Sequence, residues 1–241
     1  MILYLIKFFE REEYADEFLR GDLFLNRLSY FQRIERGNPD GRADCNEAIA
    51  VWLQPEKVSI EFRDHPELNI TPNDLGAPVS MRFEQHGRVH LYCMTAMHTG
   101  EFECEGNYII CTPETADSLR KQLGIDPRCF TLGKFAVVVK AREFVERAQK
   151  AVRAQRYSFS SALVRYFDTA TFHGHFPFNN VPFMKGNEFC YQSEYRLVID
   201  TGKDGNEPLR LSIGGLGDIG AKMPSSVLAT AVQLKLEADQ G

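Results

Sequence analysis

Phe135-Ala136-Val137-Val138-Val139 is the most apolar stretch of the chain, and it limits the possible folds more than any other. A run with no polar alternation has no face for water, so a strand built from it must be covered on both sides. The pattern predicts a strand over Lys134 to Lys140 in a central, doubly covered position. A helix is predicted directly after it, over Arg142 to Arg153.

The remaining segments do not repeat a strand–helix–strand unit. Ile2 to Phe9 reads as a buried strand carrying Lys7 near its end, and Met1 to Ile6 is far too short an apolar run to cross a bilayer. Arg11 to Gly21 reads as a helix, with acidic first turns, an apolar stripe of Tyr14, Phe18 and Leu19, and Gly21 as the stop. Asp22 to Leu28 follows as a strand in which Leu23 and Leu25 alternate with Asp22 and Phe24. Ser29 can cap a short helix through Ile34 or Glu35, and Arg36 to Asp44 is an open polar loop. Further strands are predicted through Val51-Trp52-Leu53, Val58 to Phe62, Val79 to Glu84, Arg88 to Met94, Asn107 to Thr112, Leu163 to Asp168 and Leu209 to Ile213. A helix over Pro113 to Leu123 has Thr112 as cap and Gly124 as stop, and Val227 to Leu236 is a strand or short helix. With no linker, repeat or low-complexity tract, residues 1–241 read as one α+β domain.

Hydrophobic residues at 44% and charged residues at 25% exclude a disordered chain. A net charge of −5 argues against a protein that coats nucleic acid, though not against a local basic groove. The six cysteines form neither a Cys-x-x-Cys nor a Cys/His cluster with zinc spacing, and no secretory leader is recognisable. The expectation is reduced thiols in a cytoplasmic protein.

Several apparent motifs carry little. Gly214-Gly215-Leu216-Gly217 lacks the strand–GxGxxG–helix order of a dinucleotide loop. His173 and His175 have no partner carboxylate at ligand spacing, so no metal is expected. Phe172, Phe176, Phe178 and Phe183 read as a lid packed on the core rather than a stacking platform.

The segment from Phe183 to Asp200 is more informative. Its second half is a predicted strand in which Gln192, Glu194 and Arg196, two apart, face one side while Tyr191, Ser193 and Tyr195 face the other. The plain reading is an edge strand with a solvated face and a cross-strand ion pair. Other charged residues in unusual contexts are Lys7, Arg27, Arg42, Asp44 and Glu47, with Tyr4, Tyr30, Tyr166 and Tyr191 available for flat rings. A pyrophosphate-bearing ligand needs such cations, and a carboxylate can stabilise an oxocarbenium-like transition state.

Gln192-Ser193-Glu194, opening a strand after the loop Phe183 to Cys190, resembles the Gln-x-Glu element of ADP-ribosyltransferases. The N-terminal order of strand, helix, Gly21-Asp22-Leu23, aromatic turn and Arg-bearing loop is similar to the DarT toxins, which modify nucleic acid. Gly21 to Leu25, Phe31, Arg42 to Glu47, Phe183 to Lys185 and Ser193 to Arg196 also resemble a broad bacterial family associated with phage defence. The resemblance implies a mixed or antiparallel split β-sheet core with short flanking helices. It implies NAD as substrate, Glu194 as the catalytic carboxylate, Arg42 as the NAD-gripping residue and Gln192 on the acceptor side. Lys7, Arg27, Tyr30, Asp44 and Tyr166 are expected to complete the NAD site. The DarT opening with its His and Thr is replaced here by Ile6-Lys7-Phe8-Phe9, so Lys7 takes part of the nicotinamide wall.

The expected function is NAD-dependent ADP-ribosyl transfer to an RNA or DNA base, by a toxin or anti-phage effector with a neutralising antitoxin partner. Lys185, Arg196 and Lys134 are the expected positive track for nucleic acid. Glu194 is expected outside the core, so that Glu194→Ala leaves the fold intact. The alternatives are a non-catalytic antitoxin-like or scaffold module, in which Glu194–Arg196 and Arg42–Asp44 are structural ion pairs, and a Mg²⁺ nuclease using Asp44, Glu47 and Glu194.

Overall fold

The computed structural model describes residues 1–34, 46–105 and 108–231. The predicted loop Arg36 to Asp44 and residues 232–236 of the predicted element Val227 to Leu236 lie outside the described residues.

The first half of the chain supplies the crossing strands. Strand β1 (Ile2–Phe9) leads into helix α1 (Glu12–Leu19), which buries Ala15 and Phe18. The helix ends where Gly21 takes φ 90°; a Cβ there would fall on the carbonyl oxygen of Gly214, so only glycine closes this turn without strain. Strand β2 (Asp22–Arg27) runs straight into α2 (Leu28–Ile34), with Ser29 inside the helix rather than capping it. Short strands β3 (Val51–Leu53) and β4 (Val79–Met81) bracket a run of Pro-initiated 3₁₀ turns. Of the predicted strand Val58 to Phe62 only an Ile60–Ile70 bridge forms. Helix α3 (Glu84–Gly87) then delivers β5 (His90–His98), which continues four residues past its predicted end.

The second half wraps and caps this frame. A minimal hairpin, β6 (Cys104–Glu105) and β7 (Tyr108–Ile109), precedes α4 (Ala116–Leu123). This helix starts later than predicted because the Thr115 hydroxyl, not that of Thr112, closes the preceding turn by accepting from the Thr112 N–H at 2.9 Å. Strand β8 (Phe135–Lys140) and helix α5 (Ala141–Ala154) follow as predicted. After them come β9 (Ser158–Leu163), β10 (Arg165–Phe167), β11 (Gly174–His175), β12 (Met184–Gly186), β13 (Glu194–Asp200), β14 (Leu209–Ser212), β15 (Gly220–Pro224) and α6 (Ser225–Ala231).

The architecture is α+β: a single eight-stranded sheet with flanking helices and smaller strand pairs around it. Its main path runs β14-β2-β5-β1-β8-β15, and every pairing in this sheet is antiparallel. Strand β8 is covered on both faces, as its apolar run requires, but it neighbours the edge strand β15 rather than the centre. Val137 and Val139 join α1 and α5 residues on one side, while Ala136 meets Phe8, Cys129 and Leu228 on the other.

The sheet splits at β5. One edge of β5 is occupied by β13 over residues 90–95, from Thr95↔Glu194 to His90↔Ile199. On the opposite edge β1 pairs only with residues 95–98, and β2 only with His90 and Leu91. Beyond Ile6, β1 keeps only β8, which pairs with its other edge from Tyr4↔Lys140 down to Phe9↔Phe135. The two strands therefore diverge around Tyr92, Cys93 and Met94 and leave a fork in the sheet.

Candidate functional site

The fork opens into a cleft of about 360 Å³. Its sides come from Ile6, Lys7 and Phe8 of β1 and from Phe24 and Asn26 of β2, with Leu91 to Thr95 of β5 between them. Tyr30 and Phe31 of α2 add aromatic surface, and Glu47, Lys185, Gln192 and Glu194 close the polar end. Lys7 holds the fork open from within: its Nζ donates to the Cys93 carbonyl at 2.7 Å and lies 4.6 Å from the centre of the Tyr92 ring. That carbonyl lies where the fork leaves β5 without a strand partner, so the lysine meets a backbone acceptor that would otherwise need water.

The charged groups at the polar end belong to a charge cluster that is almost wholly buried, with Arg196 beneath the cleft surface. Glu47, Lys185, Glu194 and Arg196 are each between 1% and 5% exposed. The Arg196 guanidinium grips Glu47 in a bidentate pair at 2.7 and 2.9 Å. It also donates to the Pro182 carbonyl at 2.7 Å and, through Nε, to Glu194 Oε1 at 2.6 Å. Lys185 Nζ donates to Glu194 Oε2 and to Gln192 Oε1, both at 2.9 Å, and stands 3.8 Å from Glu47. Two carboxylates and two cations cancel, which is the condition for burying four charges at all.

Local backbone geometry assembles this cluster. Glu194 and Arg196 project from the same face of β13, the face opposite Tyr195, Leu197 and Ile199, which pack toward α5. Gln192 is not on that strand. It ends a 3₁₀ segment (Asn187–Gln192), and Ser193 follows with φ 44°, in the left-handed region. The His98 ring nitrogen Nε2 meets the Ser193 hydroxyl at 3.0 Å, and the Ser193 carbonyl accepts from the Ala96 N–H at 2.8 Å. This turn breaks the two-residue alternation, yet it brings Gln192 and Glu194 onto the same lysine. Lys185 itself comes from β12, which pairs in parallel with β10.

Burial pushes the Glu194 carboxyl up, but the charges of Arg196 and Lys185 more than offset it and hold it well below the usual carboxylate range. Burial lowers the Lys185 ammonium, and Glu194 and Glu47 outweigh that to leave it raised. Desolvation, reinforced by Glu194, pushes the Cys93 thiol up to about 12, so it remains a thiol and not a nucleophilic thiolate. The cleft is thus lined by an ionised carboxylate, an ammonium and a carboxamide beside aromatic rings.

The structure sorts the sequence expectations unevenly. Lys7, Tyr30, Gln192 and Glu194 line one cleft. Arg42 and Asp44 lie outside the described residues. Arg27 does not belong to the site: its guanidinium donates to the carbonyls of Glu207, Arg88 and Lys203 at 3.2, 2.6 and 2.9 Å and staples the turn after β13. The reason is strand alternation. Phe24 and Asn26 face the cleft, so Arg27 shares the buried face of Leu23 and Leu25. Tyr166 does not line the cleft either; its hydroxyl accepts the Glu194 N–H at 2.9 Å and fixes the start of β13. Glu194 is not a solvated strand end, so the expectation that Glu194→Ala leaves the fold intact is corrected: it would leave buried cations uncompensated.

The expected basic track also fails, because Lys185 and Arg196 are sealed in the cluster and Lys134 pairs with Glu10 at 2.5 Å. Among the described residues no group of His, Cys, Asp and Glu is arranged to hold a metal ion. Glu47 and Glu194, the described carboxylates of the nuclease alternative, are both committed to cations. His173 instead accepts the Gln54 N–H through Nδ1 at 3.0 Å. Of the Phe-rich loop, Phe172, Phe176 and Phe183 pack inward as expected, with Phe172 and Phe176 stacked at 4.5 Å in a cluster that includes Trp52, but Phe178 is exposed and lies against the His86 ring instead.

Sequence reasoning missed Lys185 as part of the charge cluster, although its flanks, Met184 and Gly186, signal a buried strand. It also missed Asn26, which the alternation of Leu23 and Leu25 would have placed. The described cysteines are all free thiols, and no described helix is long and apolar enough to cross a membrane. No family model, curated protein or solved structure matches this chain.

Proposed function

We propose that the chain is an NAD-dependent ADP-ribosyltransferase whose cleft takes the nicotinamide riboside end of NAD. The observation that carries this reading is the ionised Glu194 at the polar end of an aromatic-walled fork, with Gln192 beside it on a shared lysine. In the reaction the bond from the ribose C1′ to the nicotinamide nitrogen breaks and its electron pair leaves with nicotinamide. The ribose ring oxygen shares its electrons with C1′, and Glu194 stabilises the resulting cation. A nucleic-acid base then bonds to C1′ and releases a proton to solvent. Gln192 orients that acceptor, while Lys7 and Tyr30 hold the dinucleotide with Arg42. Phe24, with the exposed Arg210 guanidinium 5.2 Å from its ring centre, supports a base-stacking and phosphate-binding approach to the cleft. As a toxin or anti-phage effector it would have a neutralising protein partner.

One observation favours a second reading, a non-catalytic module in which Glu194–Arg196 is structural: both Glu194 carboxylate oxygens already accept from cations. Two measurements separate the readings. NAD at a hundred times its dissociation constant stabilises a binding protein by about 2.7 kcal/mol, and the module shows no shift at millimolar NAD. Glu194→Gln keeps the side-chain shape, so a folded variant should lose nicotinamide release and ADP-ribosylation of oligonucleotides read by mass spectrometry. Undiminished turnover in that variant overturns the catalytic role of Glu194.

A further inference from the structure

We infer that His98 is a positioning residue: it fixes the turn at Ser193 that sets Gln192 and Glu194 side by side, and it does so only while its imidazole is neutral. The inference rests on the NAD reading and concerns what holds that site in working shape. Ser193 has φ 44° and ψ 49°, a left-handed conformation that a residue with a Cβ keeps only where its surroundings impose it. Three contacts impose it here. The Ser193 N–H donates to the Cys190 carbonyl at 3.1 Å, its carbonyl accepts from the Ala96 N–H at 2.8 Å, and its hydroxyl meets His98 Nε2 at 3.0 Å. The first two are backbone bonds that most residues could make. Only the third depends on which side chains are present.

The hydrogen bonds assign the proton on the ring. Gly100 donates its N–H to His98 Nδ1 at 3.1 Å, so Nδ1 is the acceptor nitrogen and Nε2 carries the hydrogen. Nε2 therefore donates to Ser193 Oγ, and the serine is pinned rather than activated as a nucleophile. Gln122 of α4 braces the strand end by donating to the His98 carbonyl at 3.1 Å. A second proton on the ring would turn Nδ1 into a donor facing the Gly100 N–H. That contact then repels, and the ring must shift away from the position that serves Ser193. Burial keeps the imidazole below its ordinary 6.5 and the Met1 ammonium acts in the same direction, so the neutral form is the resident one at neutral pH. That ammonium is the charge acting on the ring from the β1 side; α4 presents the neutral Gln122 and the turn before β13 the neutral Ser193.

The test follows nicotinamide release against pH, with kcat and KM separated, for the wild type, His98→Gln and His98→Phe. The glutamine Nε2 stands as many bonds from Cβ as the imidazole Nε2, so His98→Gln keeps the donor without the titration. Wild-type kcat should be full above pH 6.5 and fall as pH drops below it, while His98→Gln stays level wherever both proteins remain folded. His86 and His90 titrate in both and cancel in the comparison. His98→Phe should lose roughly tenfold to a hundredfold in kcat at neutral pH with KM little changed, because a misplacement of about 1 Å can cost about a hundredfold in rate. Ser193→Ala removes the acceptor instead and should reproduce that loss, and the double variant should lose no more than either single one. An acid limb in His98→Gln that matches the wild type, or undiminished kcat in His98→Phe or Ser193→Ala, overturns the inference and leaves the NAD reading standing. A wild type that releases no nicotinamide at any pH removes both. Should His98→Phe not fold, Ser193→Ala and the His98→Gln profile decide.

Discussion

Replacing Arg196 by methionine tests whether the buried cluster holds the fold by charge balance. The side chain is 1% exposed and makes four hydrogen bonds, two to Glu47, one to Glu194 and one to the Pro182 carbonyl. Its removal leaves two buried carboxylates sharing the single ammonium of Lys185. Breaking a buried pair by deleting one partner costs about 3–5 kcal/mol, because the remaining charge is stranded in a poorly solvating interior. For a chain of this size each kcal/mol shifts the melting temperature by roughly 2–4 °C, so the loss should be roughly 6–20 °C. The double variant Arg196→Met, Glu47→Leu restores one carboxylate to one ammonium. It should be more stable than the sum of the two single losses, with a coupling of about 0.5–3 kcal/mol by urea denaturation. A loss below about 1 kcal/mol in Arg196→Met, or strict additivity in the cycle, would refute the charge-balance argument.

Stability should fall in two steps on acidification, followed by urea midpoint against pH. Burial lowers the His86 and His90 imidazoles below 6.5, so their contribution is present above 6.5 and lost as pH drops through their folded values. Glu194, held below its ordinary 4.5, contributes above that value and is lost only at lower pH; a profile flat from pH 7 to 3 contradicts both assignments. Tyr166→Phe removes the acceptor of the Glu194 N–H and should cost about 1–3 kcal/mol in chemical denaturation while the fold persists, and an unchanged midpoint would show that water replaces the hydroxyl.

The local patterns of the chain were sufficient for several of its strands and helices, but not for β9, β12 or β15, which no apolar spacing announced. Ile2–Phe9, Asp22–Arg27 and Phe135–Lys140 form close to where apolar spacing puts them, because a strand must bury a continuous face and those residues have one to bury. The α+β class followed from their order, and the acid–amide pair Gln192 and Glu194 could be singled out by residue type. Spacing alone misled at Gln192, where a left-handed Ser193 breaks the alternation, and at Arg27, whose charge suggested a ligand site although its face of β2 is the buried one. Neither the fork nor the cluster is written in any one segment. The fork exists because β1 stops pairing with β5 at Thr95, while keeping β8 on its other edge, and β2 joins β5 only at Leu91, and the cluster draws Glu47, Lys185 and Arg196 from 149 positions of separation or fewer. Which charges meet is decided by long-range pairing, and only folding can place a buried cation where its counter-charge makes burial tolerable.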